Sequence, residues 1–191
     1  MERIIQLPLN AQESAGLRTG DRVLLSGEIY TARDAAHKRF MALLDEGRPL
    51  PFPLEDACIY YAGPAPAPPG RATGAAGPTT SCRMDAYTPR LLSLGLRGMI
   101  GKGSRSPRVI AAIVEAGAVY FSAIGGAGAL LARRVLAARI IAFEDLGAEA
   151  VRRLLVKDFP AIVAVDSRGE DLYRTGRKAY LDSEQRAGGR C

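Results

Sequence analysis

From residue 88 to residue 165, helix-period stretches alternate with short runs rich in β-branched and aromatic residues. That alternation restricts the chain to an α/β architecture, because neighbouring parallel strands need crossover segments that pack an apolar face on the sheet. Thr88-Pro89 puts proline at a first helical position and predicts a helix through residue 94. A strand at 98–100, a helix over 106–116, a strand at 118–122 and a helix over 126–135 follow. Next come a strand at 139–143, a helix over 148–155 and a strand at 161–165, which turns through Asp166-Ser167-Arg168-Gly169 into 170–173 as a hairpin.

Upstream, the pattern gives a strand around 4–7, a β-rich run at 22–30, a helix near 32–44 and a strand at 58–62. The helix carries Ala36, Phe40, Leu43 and Leu44 on one apolar face. The predicted fold class is therefore α/β, a mixed sheet with covering helices. The 191 residues suit a single domain, 1–191, ending in a flexible polar tail at about 178–191. Residues 63–78 hold five prolines and four glycines. They read either as a linker or, because they run straight into Thr79-Thr80-Ser81-Cys82-Arg83, as an ordered active-site loop; the second reading is preferred.

A formal net charge of +6 permits nucleic acid, an anionic membrane or a small anionic substrate, and does not choose among them. Residues 109–132 carry only Glu115 as a charge, but Gly117, Gly125, Gly126 and Gly128 divide them into helix, strand and helix rather than a membrane span. The start lacks the apolar region of an export signal, which makes the cytoplasm the expected location. Cys58, Cys82 and Cys191 are scattered in no CxxC pattern, arguing against a disulfide framework and against a metal site within this chain.

Three segments look able to hold an anion. In Thr31-Ala32-Arg33-Asp34, Thr31 is a plausible helix N-cap, Asp34 takes the Glu place of a capping box, and Arg33 lies in the first turn with His37, the only histidine, on the same face. A capped surface helix is the bland alternative. Gly77-Pro78-Thr79-Thr80-Ser81-Cys82-Arg83 sets hydroxyls beside an arginine in a constrained loop, or is an ordinary loop with a threonine cap. Gly101-Lys102-Gly103-Ser104-Arg105-Ser106-Pro107 puts Lys102 near a helix start, or is a glycine-rich turn with solvated charges. It is no Walker A loop, since Leu96 and Gly103 stand where that motif needs Gly and Ser or Thr. Gly126-Ala127-Gly128 fails the dinucleotide fingerprint at Leu131. The residues offer binding groups for a dianion without an evident chemical engine.

The strings TARDAAHKRF (31–40), GPTTSCRMD (77–85) and MIGKGSRS (99–106) resemble signature segments of the beta region of class I fumarate hydratases and L-tartrate dehydratases. IGGAGALLA (124–132), AFEDLGAEAV (142–151) and DFPAIVAVD (158–166) are similar to it too, in the same order. The resemblance implies a swivelling β/β/α domain that closes over a 4Fe-4S cluster held by three cysteines of an alpha subunit. It implies that Arg33, Arg83 and Lys102 contact substrate carboxylates, that Thr79 is the proposed base at C3, and that this chain ligates no metal. It also implies an inactive beta subunit that needs its alpha partner to hydrate fumarate to malate, or to dehydrate tartrate to oxaloacetate, with no part for nucleic acid or membrane. Cys82 replaces the small residue more usual there. The competing reading is a non-enzymatic basic binding module; it accounts for the +6 charge and for Arg174, Arg177, Lys178, Arg186 and Arg190, but not for the ordered segments.

Overall fold

A computed structural model describes residues 2–188. Seven strands form one mixed sheet: β1 (Arg3–Gln6), β2 (Arg22–Thr31), β3 (Cys58–Tyr60), β4 (Gly98–Gly101), β5 (Val119–Ser122), β6 (Val135–Ala142) and β7 (Val151–Val165). The spatial order is β1-β2-β3-β4-β5-β7-β6, and β2 also pairs with β7. That extra pairing closes β2, β3, β4, β5 and β7 into a five-stranded barrel. Strands β1 to β5 are parallel to their neighbours, whereas β7 runs antiparallel to β2, β5 and β6.

Strands β3, β4 and β5 are buried on both faces, which explains their continuous apolar runs. Cys58 and Tyr60 pack in one core with Ile100, Val119, Phe121 and Phe159. The intervening Ile59 and Tyr61 pack in another with Met99 and Tyr120. Three helices cover that second core: α2 (Asp34–Asp45) through Ala36 and Phe40, α3 (Thr88–Ser93) through Leu91 and Leu92, and α4 (Pro107–Ala116) through Val109 and Ile113. Short helices α1 (Ala11–Gly16) and α5 (Gly128–Ala132) lie in connections. Ser106 caps α4 as its sequence predicts, its Oγ accepting from the Val109 N–H, with Pro107 in the first turn.

Three expectations are overturned. The helix expected over 148–155 is absent: 148–149 end a 3-10 turn and 151–155 start β7. Its apolar residues divide between two strand faces: Val151, Leu154 and Val156 are buried while Arg153, Leu155 and Lys157 are exposed. A local break at Arg152-Arg153 disguises the period of two. Pairing with β6, which begins at Val135 where the preceding helix was expected to end, fixes the segment as a strand. The hairpin over 170–173 reduces to one bridge between Val165 and Asp171. Asp171 instead accepts the Tyr173 N–H at 3.0 Å and starts helix α6 (Leu172–Gly188). That helix occupies most of the expected tail, and 189–191 lie outside the described residues. Finally, Thr31 is no helix cap. It ends β2, buried, and its Oγ accepts the Arg152 N–H at 3.1 Å. Among the described residues no helix is long and apolar enough to cross a membrane.

Candidate functional site

Strands β2, β3, β4 and β5 end side by side, and the segments leaving the carboxyl ends of β2, β3 and β4 carry Arg33, Thr79, Arg83 and Lys102. Arg33 follows β2, the 79–83 segment lies between β3 and α3, and Lys102 directly follows β4. Backbone groups are unpaired at the carboxyl ends of parallel strands and helices start there, which is why ligands collect at that edge in α/β folds.

The loop between β3 and α3 is ordered. It folds on itself through the Ala65 N–H to Ala75 O and is anchored by the Ala76 N–H to Gly128 O, at 2.9 and 3.1 Å. Thr79 donates its N–H to Tyr61 O at 2.6 Å, extending the line of β3. Lys102 donates its N–H to Thr79 O at 3.3 Å and to Ser81 Oγ at 3.1 Å, and the Ser81 N–H returns to Lys102 O at 2.9 Å. Thr79 and Lys102 are therefore locked backbone to backbone. The approach needs glycine at 101, because a Cβ there would lie 1.9 Å from Ser81 Oγ. Among the described residues neither the Thr79 hydroxyl nor the Lys102 ammonium has a hydrogen-bonding or ionic partner, which leaves both available to a ligand.

The arginines are differently placed. Arg33 is the N-cap of α2 and forms no side-chain cap bond. Glu149 provides the cap, its Oε2 accepting the Ala35 N–H at 3.0 Å while Oε1 lies 3.4 Å from Arg33 Nη2. Arg83, in a 3-10 turn over Ser81–Met84, gives its Nε–H to Asp34 Oδ1 at 2.8 Å. Its Nη2 also lies 2.8 Å from Asp34 Oδ2, a charge contact off the N–H direction that leaves Oδ2 without an aligned hydrogen bond. Part of the Arg83 fork is thus engaged within the protein rather than wholly open to a substrate.

His37 is buried among Phe40, Tyr61 and Tyr87. Its Nδ1 lies 2.9 Å from the Arg33 carbonyl, which can only accept, so Nδ1 carries the hydrogen and Nε2 is a bare acceptor. Burial is the main cause that lowers its pKa to about 4, with the nearby Arg105 charge acting in the same direction. The ring is neutral at neutral pH and braces the Arg33 backbone rather than sharing an open face with its guanidinium.

Sequence reasoning missed the base on which these loops rest. Arg105, a solvated charge in the glycine-rich-turn alternative and without a role in the other, is fully buried at its side chain. Its Nε–H goes to Asp85 Oδ1 and its Nη2 to Thr88 Oγ1, both at 2.8 Å, and its guanidinium stacks over Tyr61 and Tyr120. Asp85 Oδ2 also accepts the Ser106 N–H at 2.7 Å. One buried ion pair thus fastens the Thr79–Arg83 loop to the Lys102 loop. The available signal was the presence of both partners inside two signature strings, RMD and GSRS. Nothing local in the sequence marked Glu149.

The donor set here does not suit a metal cluster. Cys58 lies in the core, where burial pushes its thiol far above the usual range, and Cys82 is exposed. Cys191 lies outside the described residues. Among the described residues no three His, Cys, Asp or Glu side chains gather into a metal-binding group.

Known proteins are similar in sequence over most of this chain. Fumarate hydratase 2 of Leishmania major is 42% identical over 164 residues, 85% of this chain and 29% of the relative. The anaerobic class I fumarate hydratase of Escherichia coli is 41% identical over 155 residues, 80% of this chain and 28% of the relative. The chain thus spans under a third of the length of these fumarate hydratases. A putative L(+)-tartrate dehydratase subunit beta of Methanocaldococcus jannaschii is 37% identical over 179 residues, 90% of this chain and 92% of the relative. The family profile described as Fumarase C-terminus matches residues 2–176, from β1 into α6 and across every loop of the site. By that match and the near full-length relative, the chain belongs to the Fumarase C-terminus family of the class I fumarate hydratases and tartrate dehydratases.

Proposed function

We propose that the chain is the substrate-clamping beta subunit of a hydro-lyase that reversibly hydrates fumarate to malate, acting with an alpha subunit that holds a 4Fe-4S cluster. The observation that carries this reading is the gathering of Arg33, Thr79, Arg83 and Lys102 at the carboxyl ends of β2, β3 and β4, with the Thr79 hydroxyl and Lys102 ammonium unengaged among the described residues. A dicarboxylate needs cations at both ends, and three segments provide them. Arg33, Arg83 and Lys102 bind its carboxylates. When bound, the cluster would supply Lewis-acid chemistry; this chain would close over the substrate and keep bulk water out, leaving the one water that reacts.

Thr79 is the candidate base at C3. A threonine hydroxyl takes a proton poorly in water. It can serve only as an oxyanion steadied by a neighbouring cation in a dry site, and the backbone bond between Lys102 and Thr79 makes Lys102 the candidate for that cation. A second reading, dehydration of tartrate to oxaloacetate, is favoured by the Methanocaldococcus jannaschii relative that the chain matches over 92% of its length. Malate and tartrate differ by one hydroxyl group, so polar contacts at that position decide.

The test is anaerobic assembly of the chain with a cluster-bearing alpha subunit, assayed on fumarate, malate and tartrate. The assembled pair should be active and the chain alone inactive. A stoichiometric cluster or full turnover in the chain alone would overturn the two-subunit reading.

A further inference from the structure

Among the described residues, the buried side-chain atoms without a hydrogen-bond partner are Arg33 Nε, Asp34 Oδ2 and His37 Nε2, on the N-cap and first turn of α2. Folded proteins pair nearly all such atoms, and exceptions concentrate where function uses them. Asp34 stands at the centre of this group. It takes the Nε–H of Arg83 on one oxygen, holds Arg83 Nη2 against the other, and lies 3.9 Å from Arg33 Nη2. A single carboxylate therefore gathers guanidinium groups from two different loops.

The geometry has a direction. An arginine has five N–H donors in a fixed plane, and Asp34 occupies the Nε side of Arg83. The Nη1 end has no hydrogen-bonding or ionic partner among the described residues, and the side chain is 47% exposed. Held this way, the free edge is fixed without being covered. We propose that Asp34 is a positioning residue, which aims the open edge of Arg83 at a substrate carboxylate and holds Arg33 beside it. This rests on the dicarboxylate-clamp reading above. Asp34 acts through the arginines and touches no reacting atom. A purely Coulombic role would have the opposite sign, since a rim carboxylate repels a dianion and its removal would then tighten binding.

The experiment uses two readouts on Asp34→Ala, with Asp34→Asn as a graded variant that keeps one acceptor. In the full chain, the Arg83 Nε–H nitrogen–proton resonance, identified by its loss in Arg83→Lys, reports the pairing. It should shift and exchange faster with water in Asp34→Ala, and less so in Asp34→Asn. In the pair assembled with the alpha subunit, KM for malate should rise about tenfold in Asp34→Ala while kcat falls by less than threefold. A merely structural role would lower the melting temperature without this split. An unmoved resonance would overturn the proposal, and so would a moved resonance with wild-type or lower KM. A wild-type pair inactive on fumarate, malate and tartrate would instead overturn the clamp reading and this proposal with it. Wild-type activity with an unaltered KM in Asp34→Ala sinks the positioning role alone.

Discussion

The site contains the same ion pair twice, in two settings. Below, Arg105 gives its Nε–H to Asp85 at 2.8 Å, with the side chains 0% and 14% exposed. At the rim, Arg83 gives its Nε–H to Asp34 at the same distance, with the side chains 47% and 31% exposed. The chemistry is shared and only the solvent differs. The buried guanidinium has its donors taken by Asp85 and Thr88 and its faces covered by two tyrosine rings. It fixes one loop against another and has nothing left for a ligand. The rim guanidinium keeps one edge free. Burial thus turns an arginine into scaffolding, and exposure leaves it an edge that a ligand can reach.

Breaking the buried pair should have the largest effect. Arg105→Ala removes the partner of a nearly buried carboxylate and leaves the Thr88 hydroxyl short of a donor. Loss of one member of such a pair costs about 3–5 kcal/mol. For a chain of this size that lowers the melting temperature by roughly 10 °C, readable by circular dichroism. A shift under about 2 °C would show that Arg105 is no clasp.

His37 should come next. It lies close enough to Arg105 for that charge to oppose its protonation, and its ring supports the rim from below through the Arg33 carbonyl. The folded ring has a pKa of about 4 against an ordinary 6.5. Between those values the unfolded chain binds a proton that the folded chain refuses. The contribution to stability is therefore full above about pH 6.5 and is lost as the pH falls toward 4, amounting to about 3 kcal/mol. Urea unfolding of wild type and His37→Leu at several pH values isolates it. The wild-type curve should be steeper over that window by that amount, and parallel curves would place His37 in a wetter setting.

The rim was legible in the sequence where the clasp was not. Arg33, Arg83 and Lys102 stand out because a cation beside a helix start or glycine-rich loop has a physical reason to be there. Arg105 sits in the same string as Lys102, and its opposite fate depends on Tyr61, Thr88 and Tyr120 closing over it, contacts made only by the folded barrel. The fold class could be read from the alternation of periods, and so could the ends of α4 and the order of the loop at 63–78. Failures clustered where tertiary pairing overrode local pattern. The run 148–155 looks helical until β6 pairs with it, and Thr31 looks like a cap until the Arg152 N–H claims its hydroxyl.

Substituting the rim arginine should divide activity from stability. Arg83→Lys keeps the charge and loses the planar fork, so Asp34 and a substrate carboxylate can no longer be held on two edges at once. In the assembled enzyme kcat/KM should fall by roughly thirtyfold, about 2 kcal/mol of transition-state stabilisation. The melting temperature should stay within about 2 °C of wild type. Near wild-type kcat/KM would remove Arg83 from the site.

The smallest effect, the stability held in the rim pair itself, tests the comparison most directly. Half-exposed ion pairs contribute about 0–1 kcal/mol, because water already solvates both partners and two long side chains must be ordered to meet. Arg83→Gln should therefore destabilise the chain by less than about 1 kcal/mol. The dependence on salt matters more than the size. Raising ionic strength from about 0.1 to 1 M shortens the screening length from roughly 10 to 3 Å, which weakens exposed pairs and hardly touches buried ones. The Arg83→Gln difference should shrink toward zero over that range, while the Arg105→Ala difference should persist. Chemical denaturation with urea, which carries no charge, measures both series at each salt concentration. Were the Arg83→Gln loss to match that of Arg105→Ala and resist salt equally, the rim pair would be part of the scaffold. Its free edge would then be no guide to where the substrate binds.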